Sequence, residues 1–92
     1  MKFQEEKGRI FLNDEEGKMI AEVTFPGEDE WHLDHTFVDR SLRGQGVAGK
    51  LVRAVVEKAR AEGKKIVPEC SYAVAEFEKK TEYHDVLAEQ AK

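Results

Sequence analysis

The sequence predicts an α+β domain: a compact fold around a mixed, mostly antiparallel sheet, in the order β-β-β-α-β-α. Three observations predict it. Apolar and polar residues alternate in short runs between positions 9 and 38, which is the period of a strand with one buried face. Beyond Gly46 the apolar residues change to three- and four-residue steps, the period of an amphipathic helix. A short apolar strand containing Pro68 then separates that helix from a second one.

The elements follow in order. Residues 9–13 (RIFLN) form a β-prone run, and residues 14–18 (DEEGK) form a turn in which Gly17 is free to take a positive φ. In residues 19–25, Met19, Ala21, Val23 and Phe25 share one face, with Glu22 and Thr24 on the other. These two runs make a hairpin. An acidic turn, residues 26–30, leads to a third strand over 31–38. Strict alternation there puts Trp31, Leu33, His35 and Phe37 on one face and His32, Asp34, Thr36 and Val38 on the other. The loop 39–46 opens a helix that runs to about Glu62. Its stripe is Val47, Ala48, Leu51, Val52, Val55, Val56 and Ala59, and Gly63 stands where a helix-terminating glycine belongs. Residues 65–70 read as a strand. Pro68 has no N–H to give a ladder, so this strand lies at an edge or splays from its neighbour there. Ser71 is placed to cap a second helix running to about Lys80, with Tyr72, Ala73, Ala75 and Phe77 as its apolar contacts. Residues 81–90, with Tyr83, Val86 and Leu87, suggest one last helical turn or two.

Ninety-two residues and 10.5 kDa suit one domain, expected over 1–92. No apolar run approaches the roughly 18–20 residues of a membrane helix, and the N-terminus lacks the apolar core of a secretory signal. One cysteine makes neither an internal disulfide nor a cysteine-based zinc site. A cytoplasmic, reducing location is expected, with no metal and no membrane partner. The net charge of −4 argues against a nucleic-acid partner. It is unevenly spread: residues 40–65 hold eight basic and two acidic side chains, about +6, inside an otherwise acidic chain. Such an island suits a compact anionic ligand; a solvated Lys/Arg helix face accounts for it equally well.

The sharpest chemical signal is Arg43, Gly44, Gln45, Gly46, Val47, Ala48 and Gly49, between strand and helix. Glycines there let backbone approach a ligand. The first helical N–H groups lack internal partners, and the helix dipole adds partial positive charge, so the segment is suited to hold a phosphate. The spacing also satisfies the G-x-G-x-x-G dinucleotide pattern, with Glu69 about twenty residues on. Its context does not: a meander precedes the glycines and no second mononucleotide half follows. Nor does a Lys-Ser/Thr pair of a nucleotide-triphosphate loop occur.

Arg43-x-x-Gly46-x-Ala48, after an antiparallel strand and opening a helix, resembles the R/Q-x-x-G-x-G/A signature of the GNAT acetyltransferase superfamily. More closely, His35-Thr36-x-Val38, Leu42-Arg43-Gly44-x-Gly46, Pro68-x-Cys70 and Glu82-Tyr83-x-Asp85 together resemble the small YjdJ-type N-acetyltransferase-like domains, over about residues 7–88. The resemblance implies acetyl-CoA (CoA) as cosubstrate and an amine acceptor, a small amine or a protein lysine, in a monomer or weak dimer. It assigns the pyrophosphate to the backbone of Arg43, Gly44, Gln45, Gly46, Val47 and Ala48, and the pantetheine to that of Phe37 and Val38. Ser71, Tyr72 and Tyr83 are further cofactor contacts; both tyrosines are candidates to protonate the leaving thiolate, with packing of the last helix as the alternative.

Cys70, at the end of the proline-containing strand, has three readings: a small buried apolar residue, a passive wall beside the CoA sulfur, or a nucleophile. The last needs thiolate stabilisation at a helix N-terminus or by a histidine. His35, through its place in the His-Thr-x-Val motif, is a candidate general base or activator of Cys70; a hydrogen-bonded core histidine is the alternative. Two functional classes remain open, an acetyl-CoA-dependent N-acetyltransferase and a CoA-binding module with little or no turnover.

Overall fold

The computed structural model describes residues 2–88. The strands are β1 (Gln4–Glu6), β2 (Arg9–Asn13), β3 (Met19–Thr24), β4 (Glu30–Leu33), β5 (His35–Val38) and β6 (Lys65–Pro68). The helices are α1 (Val47–Glu62) and α2 (Ser71–Lys79), with 3-10 turns at Arg40–Leu42 and Thr81–Val86. Strands β1-β2-β3-β5 form an antiparallel sheet, and β4-β6 form a separate parallel pair. The fold is α+β, as the sequence predicts.

The apolar stripe of α1 (Val47, Leu51, Val52, Val55, Val56 and Ala59, all buried) covers one face of the sheets. It meets Ile10, Ala21 and Val23 from the hairpin, Leu33 from β4 and Ile66 from β6. The opposite face of the larger sheet carries polar pairings. Arg9 is ion-paired with Glu22 and lies 3.8 Å over the Phe11 ring, and His35 Nε2 lies 3.5 Å from Glu22 Oε1. No helix among the described residues is long and apolar enough to cross a membrane.

Four expectations are corrected. An extra N-terminal strand, β1, extends the meander; its residues Gln4, Glu5 and Glu6 are all exposed and carry no apolar alternation to announce it. The third strand is two strands. At Asp34 the chain leaves the β4-β6 pair and joins β3: Asp34 N–H donates to the Thr24 carbonyl at 3.2 Å, and Asp34 Oδ1 accepts from Thr24 Oγ1 at 2.5 Å. The break shifts the alternation by one residue, so a single inward face does not run from Trp31 to Phe37. Trp31 and Leu33 are buried, but Thr36 and Val38 turn inward while His35 and Phe37 are exposed. The cap of α2 is Cys70, whose Sγ accepts from Ala73 N–H at 3.4 Å; Ser71 is the first helical residue and is exposed. On α2 the buried residues are Ala73, Glu76 and Phe77, while Tyr72 and Ala75 are exposed. The final turn is 3-10 and ends at Val86; residues 89–90 of the expected segment lie outside the described residues.

Candidate functional site

Two structural accidents of the sequence create the site. The first is the divergence of β5 from β6. The β4-β6 ladder ends where Leu33 faces Pro68, and the Leu33 carbonyl then accepts from both Glu69 and Cys70 N–H, at 3.0 and 3.1 Å. Beyond that point β5 pairs only with β3, so a V opens between β5 and the end of β6. The missing N–H of Pro68 fits the end of the ladder. At the base of the V, Thr36 Oγ1 and Cys70 Sγ lie 3.3 Å apart.

The second is the entry to α1. Asp39 accepts from Ser41 N and Oγ, at 3.0 and 2.7 Å, and so fixes the 3-10 turn that delivers the glycine loop. These hydrogen bonds hold the Asp39 carboxyl below the usual carboxylate range. Gly46 caps α1 in the left-handed region, φ 70°, and no side chain caps the helix start. The first-turn N–H groups of α1 are therefore left without an intrahelical or side-chain partner. A Cβ on Gly44 or Gly46 would meet no protein atom within 4 Å. The backbone faces open space.

That space is a cavity of about 340 Å³, lined by the loop (Arg43, Gly44, Gly46), the first turn of α1, Val38 and Tyr72. Tyr72 is 38% exposed, and its phenol is held above the usual range, chiefly by burial of its hydroxyl and then by Glu76. The structure thus brings together Val38, Arg43, Gly44, Gly46, Val47, Ala48 and Tyr72 around one opening; Gln45 is exposed on the same loop.

It does not bring His35 to Cys70. His35 is exposed and faces Glu22 on the other side of the sheet, while Thr36 is the residue in contact with the cysteine. The reason is the Asp34 break, which reverses the expected facing. Thr36 is the site neighbour that sequence reasoning passed over, and only the pairing of Thr24 with Asp34 and His35 reveals it. Phe37 is exposed and its side chain turns away from the V; only its backbone lies along β5. Tyr83 is buried against Phe77, with ring centroids 5.7 Å apart, and lines the adjoining groove between α1 and α2 instead of the loop cavity.

Known proteins share this fold. The sequence profile of the GCN5-related N-acetyl-transferases matches residues 9–86. The chain is similar to a GCN5-like protein from Staphylococcus aureus, 36% identical with a TM-score of 0.79 over 98% of this chain and 90% of that one. It is also similar to an acetyltransferase from Bacillus cereus, at 29% identity and TM-score 0.64 over 79% of this chain and 54% of the other. A GNAT family acetyltransferase from Elizabethkingia anophelis, solved with acetyl-CoA bound, has the same fold at 16% identity and TM-score 0.57, over 82% of this chain and 51% of its own. The chain spans about half the length of these last two. Among curated proteins, none matches the chain in sequence.

Proposed function

The chain belongs to the GCN5-related N-acetyltransferase family, and from that premise we propose that residues 1–92 act as one acetyltransferase domain, binding acetyl-CoA in the loop cavity and passing its acetyl group to an amine. The observation that carries the proposal is the uncapped N-terminus of α1, opening onto a cavity that reaches Val38 beside the V. The residues present fit the cofactor. A pyrophosphate needs several N–H donors and positive potential in one place, and the first turn of α1, with Arg43 at its mouth, offers both. The positive φ and open Cβ direction of Gly46 leave the approach clear.

When bound, acetyl-CoA would supply an activated thioester: an amine nitrogen attacking its carbonyl carbon loses a proton as the amide bond forms, the C–S bond breaks, and the CoA thiolate leaves and takes up a proton. This chain's residues do the remainder. The loop N–H groups fix one end of the cofactor, and the free edge of β5 at Val38 guides the arm toward Thr36 and Cys70. Holding the thioester in one place supplies the positional part of the catalysis. Cys70 Sγ, already accepting from Ala73 N–H, would stand beside the thioester sulfur of a cofactor held along the V, and Tyr72 is the hydroxyl among the residues lining the loop cavity that would give up a proton. The helix N-terminus that a nucleophilic Cys70 requires is in place; the histidine is not.

A second reading, a CoA-holding module with little turnover, draws on one fact: the chain spans about half the length of the larger acetyltransferases it matches. An amine screen with acetyl-CoA separates the two. Release of free thiol with any acceptor supports transfer, and CoA binding without release across amines and lysine peptides favours the module. Intact mass after incubation with acetyl-CoA tests Cys70: a gain of one acetyl group that Cys70→Ser abolishes supports a covalent step. Unchanged acetylation of an amine by Cys70→Ser removes it.

A further inference from the structure

The end of α1 away from the glycine loop borders another cavity, of about 370 Å³, that acetyl transfer leaves unused. It shares no lining residue with the loop cavity. Its floor is aromatic: Phe25 and Trp31 are buried there, with ring centroids 4.9 Å apart. Its rim is charged. Lys7 comes from the β1–β2 turn and Glu28 from the β3–β4 turn, while Lys58 and Glu62 lie on the last turns of α1 and Lys64 just past its capping glycine.

Two groups in this cavity lack a settled partner. Trp31 is 6% exposed. A buried indole N–H ordinarily finds an acceptor. This one donates to no atom among the described residues, and it is not sealed off, so it opens onto the cavity that Trp31 lines. The other group is Lys64. Its Nζ lies 3.7 Å from Asp29 Oδ1, and the Asp29 side chain is fully exposed, so the pair is loose and readily exchanged. The remaining charges are matched within the lining. Lys58 Nζ lies 3.1 Å from Glu62 Oε2, and Lys7 Nζ lies 3.7 Å from Glu28 Oε2. Three lysines against two glutamates leave one surplus positive charge, and it falls to Lys64.

These features select a ligand chemistry. One surplus charge suits a monoanion, whereas a second negative charge would meet Glu28 and Glu62, and like charges brought together repel. An N–H donor beside an ammonium suits a carboxylate, whose two oxygens accept separately. The aromatic floor suits an apolar body, and the volume is at the lower end of the roughly 300–1,000 Å³ of small-molecule sites. We infer that this cavity is a binding site for a small organic carboxylate with an apolar body, its oxygens accepting from Trp31 Nε1–H and Lys64 Nζ while the body lies against Phe25 and Trp31. The inference does not rest on the acetyltransferase reading and survives its failure.

The chain has a single tryptophan, so its indole N–H gives one NMR signal to follow. Phenylacetate and phenylacetamide, alike in shape and different in charge, are the probes. Phenylacetate should move the indole signal saturably in the millimolar range. Phenylacetamide should bind at least about tenfold more weakly, the range of a hydrogen bond to a charged group. Lys64→Gln, at the rim, should weaken phenylacetate by a similar factor. Glu28→Gln removes a negative charge from the lining and should bind phenylacetate at least as tightly as the wild type. No saturable movement of the indole signal with phenylacetate, equal affinity for acid and amide, unchanged affinity in Lys64→Gln, or weaker binding by Glu28→Gln would overturn the inference.

Discussion

Gly46 does two things at one position. Its φ of 70° sets the start of α1, and its missing side chain leaves the cavity open. The two are separable by substitution. Gly46→Ala has room for its methyl but must hold the left-handed conformation, at a stability loss of about 1–2 kcal/mol in denaturant unfolding. Gly46→Asp adds a negative charge facing the proposed pyrophosphate, and CoA should no longer raise its melting temperature; retained binding would remove the loop from the site. Cys70 is tested in the same way. As the cap of α2 it should be replaceable by serine, a better cap, without loss of stability, whereas Cys70→Ala should cost about 1 kcal/mol. Equal stability of the two variants would mean that the Sγ to Ala73 N–H bond contributes nothing. The loop and the cysteine were legible in the sequence because their chemistry is local: glycines before a helix, and a cysteine closing a proline-containing strand. His35 was misplaced because facing is decided by partners. Assigning faces from Trp31 to Val38 treats the segment as one continuous strand, and the pairing of Thr24 with Asp34 and His35 shows the residue at which the facing shifts.

At the scale of elements, the sequence marked most strands and helices but could not announce the polar β1, nor the division of six strands into two sheets. Two joints between elements carry measurable consequences. Gly27, in the turn between β3 and β4, has φ 131°, and a Cβ there would stand 2.0 Å from the Glu30 carbonyl oxygen. Backbone cannot yield as a flexible side chain does, so Gly27→Ala should lower the melting temperature more than Gly17→Ala, where a Cβ meets nothing within 4 Å. The second joint ties the last 3-10 turn to α1. Arg60 Nε and Nη2 donate to the two Asp85 oxygens at 2.8 and 3.0 Å, and Nη2 also donates to the Glu82 carbonyl at 2.6 Å. The Arg60 hydrogen bonds hold the Asp85 carboxyl below its usual range. Such a group adds stability above its unfolded pKa, near 3.9, and loses it as pH falls through the lower folded value. Asp85→Asn should therefore melt below the wild type at pH 7, and the gap should narrow as the pH drops below about 4. A gap of constant size across that range would show that the ion pair is not its source.

For the whole molecule, one small core holds two diverging sheets against α1, and the divergence itself is the proposed binding device. Residues 40–65, with their surplus of about six positive charges, supply both the loop and α1; of their basic side chains Arg43, Lys50 and Arg53 line the loop cavity or the α1–α2 groove, while Lys58 and Lys64 stand beside a cavity farther along α1. The chain also offers a cavity of similar size, about 370 Å³, far along α1 beside Lys7, Gly27, Trp31 and Lys58, with no uncapped helix start among its lining residues. That rival makes a site-resolved measurement the most direct test of the central claim. In an amide NMR titration of the ¹⁵N-labelled protein with CoA, the N–H signals of Gly44, Gly46, Val47, Ala48 and Gly49 should move, followed by those of Val38 and Cys70 along the V. The signals of Gly27, Trp31 and Lys58 should stay in place. Shifts gathered at those three residues, or none at millimolar CoA, would contradict the account.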